Sequence, residues 1–411
     1  MASLRSDADY IIKKAIEAAL PDTAVKKALK EFPEVKGKVV LIATGKAAWQ
    51  MAAAGYEVLG SRVSGGVVVT KYDHSKGPIG NLQIFEAGHP VPDVNSYKGT
   101  QAAIDAVTGL TADDYVVFLI SGGGSALFEQ PLIPAADMSK LTSELLASGA
   151  DITQMNTIRK RMSAVKGGKF AKLCQPAKVF SIVLSDILGD PLDMIASGPA
   201  YPDSSTNEEA KAICRQYNIT LTEKMKELLD IETPKTLDNV TTYITGSVKQ
   251  LCIAAEKAAT ELGYEPLTLT SYLSCTARDA GVFLANMAQH YASSKKSLAF
   301  ICGGETVVKL EGKGLGGRNQ ELALAAAPLL STVKDAAIFS VGSDGTDGPT
   351  DAAGGYVDTD TVKVLAEKGV DIPAILKNND AYHALEKCDG LVMTGPTGTN
   401  VNDISVLLIK R

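Results

Sequence analysis

Short apolar runs bounded by turn residues, each followed by apolar side chains at helical spacing, recur from one end of this chain to the other. Val39–Ala43 is the first, and Thr44-Gly45-Lys46 turns it into a helical segment over 47–58. Gly66–Thr70, Leu82–Ala87, Tyr115–Ile120 and Lys178–Leu184 read as further strands, with helical spacing over 10–29, 97–107, 207–217 and 221–229. Beyond residue 240 the alternation resumes: strand Thr241–Thr245, helix Ser247–Leu262, strand Pro266–Leu269, helix Thr276–Ala292 and strand Ser297–Cys302. A helix over 319–330, strand Ala336–Val341, helices Thr361–Lys368 and Asp380–Lys387, and strands Gly390–Met393 and Ile404–Ile409 complete the series. A chain of this pattern is expected to be α/β, with predominantly parallel sheets flanked by helices on both faces.

At 411 residues the chain exceeds what one core usually serves, so two domains are expected. The polar stretch Glu232–Asn239, with its single Pro234, is the natural joint, giving domains of 1–235 and 236–411. A net charge of -6 with one tryptophan offers no basic stripe for nucleic acid, although a local cluster can still hold a small anion. Cys174, Cys214, Cys252, Cys275, Cys302 and Cys388 are scattered and form no CxxC pair, which favours packed thiols in a reducing compartment over a disulfide frame or zinc site. Arg5, Asp7, Asp9, Lys13 and Lys14 precede any apolar block, against a signal peptide, and no uncharged apolar run approaches the roughly 18 residues of a membrane span. The expectation is a soluble cytoplasmic protein with no nucleic-acid or membrane partner; a homo-oligomer is admitted but not required.

Chemistry gathers where the strands run out, since open α/β sheets bind ligands at strand carboxyl ends. Lys46 stands at such an end, beside a helix N-terminus, although a solvated turn lysine fits the position equally well. The loop Ser121-Gly122-Gly123-Gly124-Ser125-Ala126 follows the clearest buried strand; its glycines let main-chain N–H groups approach a phosphate and its serines add hydroxyls, the alternative being a tight packing turn. It is neither a Walker loop nor a GxGxxG fingerprint. His89, in the stiff loop Gly88–Asp93, is a substrate contact or a structural histidine. Arg159, Lys160, Arg161, Lys166, Lys169 and Lys172 occupy a stretch free of acids, which suggests a local anion site or a solvated helix face. Asp186 and Asp190, just past strand 178–184, are placed for magnesium or general-base work, or for turn capping. Gly316, Gly317 and Arg318 open a helix, where phosphate or carboxylate is favoured. Asp344, Asp347 and Asp351, among glycines past strand 336–341, suit a ligand or metal more than a turn requires.

In order, the segments Ala43–Ala47, Gly88–Asp93, Ser121–Ala126, Lys166-Gly167-Gly168, Ser185-Asp186, Ser197-Gly198-Pro199, Gly303–Thr306, Gly316–Glu321, Gly342–Gly348 and Thr394–Asn400 resemble the class II glycerate 2-kinases. That family joins an N-terminal Rossmann-like domain to a C-terminal MOFRL domain, and some of its members carry an older hydroxypyruvate reductase label. Each segment alone is weak; ten in sequence, covering nearly the whole chain, are specific. The resemblance implies ATP-dependent phosphorylation of D-glycerate at the 2-hydroxyl, giving 2-phosphoglycerate and ADP with a divalent cation, usually Mg2+. It also implies that Lys46 and Arg318 are the key cations of an active site in the interdomain cleft.

On that basis Lys46 and Arg318 are expected to clamp the glycerate carboxylate and the transferring phosphoryl group, in either assignment. Ser121, Gly122, Gly123, Gly124 and Ser125 would hold nucleotide phosphates, assisted by Lys166. Asp186 is the expected general base, and Asp344 with Asp190 the expected magnesium ligands; exchanging the roles of Asp186 and Asp344 fits nearly as well. The rival readings are an NAD(P)H-dependent hydroxypyruvate reductase, disfavoured by the missing GxGxxG, and a non-catalytic sugar-acid or nucleotide sensor.

Overall fold

The computed structural model describes residues 3–185, 189 and 191–411. They form two compact units. One runs from Ala24 to Ser185 and from 191 to Thr245; the other joins Gly246–Arg411 to the N-terminal stretch through Thr23. Composition points to a single joint at 235/236, whereas the units exchange chain after Thr23 and after Thr245.

The first unit is built on six strands, β1 (Val39–Thr44), β2 (Val63–Lys71), β3 (Leu82–Ala87), β4 (Tyr115–Ile120), β5 (Lys178–Leu184) and β6 (Val240–Gly246). They lie in the order β3-β2-β1-β4-β5-β6. Pairing of β1 with β2 and β4, of β2 with β3 and of β4 with β5 is parallel. This is the Rossmann-like order, in which the chain winds outward in opposite directions from β1 and β4 and leaves a crevice at their carboxyl ends. Thr44 pairs with Ile120, so the turns after β1 and β4 begin side by side. Every residue of β1 is buried, as a strand covered on both faces must be. Phe118, Phe128 and Phe170 meet with ring centroids 4.9–5.6 Å apart and tie the chain just past the β4 turn to the core. A helical layer of Ala135–Ser148, Ile152–Arg159, Asn207–Gln216 and Glu223–Asp230 has its own core around Leu141, Leu145, Met162 and Leu229.

The second unit carries β7 (Glu265–Leu273), β8 (Leu298–Gly304), β9 (Ala336–Gly342), β10 (Gly354–Asp358), β11 (Leu391–Val392) and β12 (Asp403–Ile409) in the order β11-β10-β9-β12-β8-β7. The α/β architecture is as expected, but this sheet is mixed. Only β7 and β8 pair in parallel; β8 with β12, β12 with β9, β9 with β10 and β10 with β11 are antiparallel. β8 and β9 do run the same way, joined by the helix Arg318–Leu330, as strand–helix alternation implies. The last strand, β12, returns between them and reverses both pairings. β10 falls in a stretch whose glycines read as loop; they are there because a Cβ on Gly354 would lie 1.9 Å from the Ser340 carbonyl oxygen.

The helical spacing over 10–29 is broken in two, Leu4–Ala18 and Pro21–Ala28, with Pro21 opening the second helix, where its missing N–H costs nothing. Helix Leu4–Ala18 packs on Val248–Glu261 in the second unit. Its buried Asp7 accepts hydrogen bonds from the Tyr264 hydroxyl and the Lys410 ammonium, each at 2.6 Å. No described helix is long and apolar enough to cross a membrane.

Candidate functional site

In the first unit the site is made by the paired turns after β1 and β4. Gly45 adopts φ 114° with its Cα against Ser121, where a Cβ would come within 2.2 Å of the Ser121 hydroxyl. That close approach lets the Lys46 N–H donate to the Gly122 carbonyl at 2.8 Å and the Ala47 N–H donate to the Ser121 hydroxyl at 3.1 Å. Ser121 is therefore spent on holding the two turns together. Its neighbours are not: among the described residues no acceptor takes the N–H groups of Gly122, Gly123, Gly124 or Ser125. Gly122, Gly123 and Ser125 are partly exposed, so these donors border solvent.

Lys46 is exposed, and among the described residues no carboxylate lies within ion-pair distance of its ammonium. Its Cγ and the imidazole of His89 both lie 3.1 Å from the position a Cβ on Gly123 would take, which sets lysine, histidine and glycine loop around one spot. Burial, then the positive charges of Lys46 and Lys71, hold the His89 pKa below its ordinary value, so the ring is neutral at pH 7. His74 braces the turn by its Nδ1, 2.9 Å from the Lys46 carbonyl oxygen.

Lys166 lies beneath this loop, not on its open side. Fully buried, it donates to the carbonyls of Ser125 at 2.7 Å and Phe128 at 3.2 Å and sits 3.4 Å from the Glu129 carboxylate. Burial lowers its pKa to about 8 despite Glu129. The expected phosphate contact is replaced by a structural one: the lysine fastens the loop from behind. Three more residues of the basic stretch behave likewise. Lys160 pairs with the buried Asp203 at 3.0 Å, Arg161 binds Asn207, the Ser205 carbonyl and Glu232, and Lys169 donates to the carbonyls of Lys160, Arg161 and Ser163. These four neutralise carbonyls and acids inside the protein, whereas Lys172 is exposed and the buried Arg159 Nε has no hydrogen-bond partner among the described residues. Asp186 and Asp190 lie outside the described residues.

In the second unit, strand register builds the site. Asp403, the first residue of β12, pairs with Gly304 on one side and Gly342 on the other. Glu305, the residue after β8, and Asp344, two residues past β9, therefore lie beyond the same end of these strands. Arg318, first residue of its helix, grips Asp403 with two bonds, Nε to Oδ2 at 2.5 Å and Nη2 to Oδ1 at 2.9 Å, and lies 3.4 Å from Glu305 through Nη1. Burial raises the Asp403 pKa more than the arginine lowers it. The guanidinium, burial notwithstanding, is held more firmly protonated by these acids. Arg318 thus does stand at a helix N-terminus, but with two of its edges committed.

Asp347 caps that helix from outside. Its carboxylate accepts from the N–H groups of Asn319 at 3.1 Å and Gln320 at 2.8 Å, and it fits only because Gly317 has no side chain: a Cβ there would lie 2.2 Å from the Asp347 carboxyl carbon. Burial pushes its pKa up to about 6. Asp344 is partly buried and orients Oδ1 on the Thr346 N–H at 3.0 Å; Asp351 accepts from the Tyr382 hydroxyl at 2.8 Å. Glu305 and Asp403 were the residues that sequence reasoning missed. A lone carboxylate opening the apolar strand 403–409 was the available signal for Asp403.

Residues 7–230 match the family described as a domain of unknown function (DUF4147), and residues 298–403 match the MOFRL family. The chain is 51% identical over 414 aligned residues to the D-glycerate 2-kinase of Thermotoga maritima, covering 99% of each protein. It is 42% identical to the glycerate 2-kinase of Pyrococcus horikoshii, covering 97% of this chain and 96% of that one. The crystal structure of glycerate kinase from Thermotoga maritima matches it with a TM-score of 0.95 at 51% identity over 99% of both chains. The full-length identity and the two domain matches together make this chain a member of the glycerate kinase family that joins a DUF4147 domain to a MOFRL domain.

Proposed function

We propose that the protein transfers the terminal phosphoryl group of ATP to the 2-hydroxyl of D-glycerate, releasing 2-phosphoglycerate and ADP. Besides family membership, one observation carries this reading: an exposed lysine without a described counter-ion beside four consecutive main-chain N–H groups without described acceptors, at the switch point of a Rossmann-like sheet. Oxygen-rich anions are the ligands such a set binds.

Phosphoryl transfer passes through a loose transition state whose charge is spread over oxygens, so the protein's task is positioning and neutralisation. Lys46 supplies the positive charge, and the N–H groups of Gly122–Ser125 supply fixed dipoles that need no reorganisation as charge moves. Neutral His89 offers one hydrogen bond to a substrate oxygen without adding charge. Arg318, its plane fixed by Asp403, offers an anion the guanidinium N–H groups that Asp403 and Glu305 leave free. Lys166 holds the loop's carbonyl side, which keeps the N–H side outward. Asp186 remains our choice of proton acceptor at the attacking hydroxyl, on its position in the chain alone.

Magnesium commonly takes one or two carboxylates besides phosphate and water. Asp344 fits that donor set: it is partly exposed and already oriented by the Thr346 N–H, with Asp190 as second candidate. Bound there, the ion would offset phosphate charge.

Incubation with ATP, Mg2+ and D-glycerate, followed by phosphorus NMR, tests the proposal. The expected product is 2-phosphoglycerate with stoichiometric ADP. Exclusive 3-phosphoglycerate would overturn the regiochemistry, and no ADP release would overturn the kinase. Oxidation of NADH by hydroxypyruvate, followed by absorbance, would favour the reductase instead.

A further inference from the structure

A cavity of about 650 Å3 lies within the second unit, walled by the loop that follows β8 and by the start of the helix Arg318–Leu330. A three-carbon acid would leave most of that space open, whereas ligands of nucleoside size and larger occupy cavities of this scale. The wall is stiff. Five consecutive loop N–H groups are tied down: Glu311 and Gly312 to the Asn379 side-chain carbonyl at 2.8 and 2.9 Å, Lys313 to that of Asn378 at 3.2 Å, Gly314 to the Asn378 main-chain carbonyl at 2.8 Å, and Leu315 to the Asp380 carboxylate at 2.9 Å. Asn379 is itself fixed by donating to the buried Glu321 at 3.0 Å. A loop braced this way loses little entropy when a ligand enters.

Three features of the lining describe the ligand. Val307 and Leu310 are 55% and 81% exposed on the cavity wall, which is costly for side chains of their size and useful against a flat apolar ring. Thr306, 4% exposed, lines the cavity and its hydroxyl has no hydrogen-bond partner among the described residues. The N–H groups of Gly316, Gly317 and Arg318 meet no acceptor among the described residues. Apolar flanks, a short row of donors for ring nitrogens, and Glu305 to accept from an amine or a ribose hydroxyl together match a purine nucleoside.

We propose that this cavity binds the purine nucleoside end of ATP, an inference that rests on the kinase reading for the identity of the nucleotide. Val307, Leu310 and Thr306 determine affinity for the base; the phosphates are held by other groups.

The test is calorimetric titration with ADP and, separately, with inorganic tripolyphosphate. The wild-type protein is compared with the double variant Val307→Ser/Leu310→Ser and with Thr306→Val, alongside the KM for ATP and for D-glycerate and the thermal midpoint. In the double variant the ADP Kd and the KM for ATP rise by on the order of 10-fold, from the apolar contact removed, while tripolyphosphate affinity, the KM for glycerate and the midpoint stay put. Thr306→Val gives a smaller rise in the same two quantities. An unchanged ADP Kd in the double variant, or an equal loss of tripolyphosphate affinity, overturns the site. Wild-type protein that binds ADP through these residues yet phosphorylates no glycerate would sink the kinase reading and leave the site standing.

Discussion

Replacing Lys46 by Met keeps the length and apolar stem of the side chain and deletes its charge. The ammonium is exposed and has no ion-pair partner among the described residues, while the main-chain bond from Lys46 to Gly122 does not depend on the side chain. Stability should therefore move by no more than about 0.5 kcal/mol. Activity should not be spared. A unit charge about 4 Å from a phosphoryl oxygen near a protein surface interacts by at most about 4 kcal/mol. Removal of a preorganised oxyanion contact costs about 2.7–4 kcal/mol of transition-state stabilisation elsewhere. Converted at about 1.4 kcal/mol per tenfold, that is a fall of roughly 10^2–10^3 in kcat/KM. The assay is coupled ADP release with D-glycerate varied at saturating ATP and Mg2+, then the reverse, with thermal unfolding on the same samples. A kcat/KM within threefold of wild type, at an unchanged midpoint, would remove Lys46 from the site and leave the Gly122–Ser125 donors without the cation that gives them a purpose.

Arg318→Lys keeps a charge but cannot make two bonds to Asp403, so it should lower stability by about 1–3 kcal/mol through the buried carboxylate and reduce turnover as well, read by denaturant melts and steady-state rates. Wild-type stability should fall as pH rises between about 4 and about 6, because Asp347 keeps its proton to about 6 when folded and to about 3.9 when unfolded, so the folded state binds more protons in that window; Asp347→Asn should flatten this dependence, measured by chemical unfolding across pH. Lys166→Met leaves Glu129 buried and uncompensated and should cost about 3–5 kcal/mol, whereas Lys166→Met with Glu129→Leu should regain stability without regaining activity, since the Ser125 and Phe128 carbonyls stay unheld. Asp344→Ala should raise the Mg2+ concentration needed for half-maximal rate, and an unchanged metal titration would place the ion elsewhere.

How far the residues announced themselves depends on whether a signal was local. Glycine turns at strand ends were readable, because only a residue without Cβ admits the approach of Gly45 to Ser121 or of Gly317 to Asp347. The parallel core of the first unit was readable for the same reason: an uninterrupted apolar run such as Tyr115–Ile120 suits a strand buried on both faces. Helices Ala135–Ser148 and Ile152–Arg159 went unseen although Met138, Leu141 and Leu145 keep helical spacing and Asp151 with Gln154 forms a capping box. That signal was present, and weak beside the basic stretch that follows.

The pairings set by distant residues were not readable at all. Nothing in Ile404–Ile409 says that it will part β8 from β9, and nothing near Leu4–Ala18 says that its partners are Tyr264 and Lys410. The basic stretch 159–172 shows the cost most plainly. Its cations look like a binding patch because their neutralising groups, Glu129, Asp203 and Glu232, are remote in sequence from much of it. A run of like charge therefore identifies a ligand site only when its partners are known to be absent, and in this chain the test separates Lys166 from Lys46. The first is surrounded by two carbonyls and a carboxylate, so it has no coordination left to offer a substrate. The second, a single lysine in a turn with no charged neighbour in sequence, is the one left open to solvent.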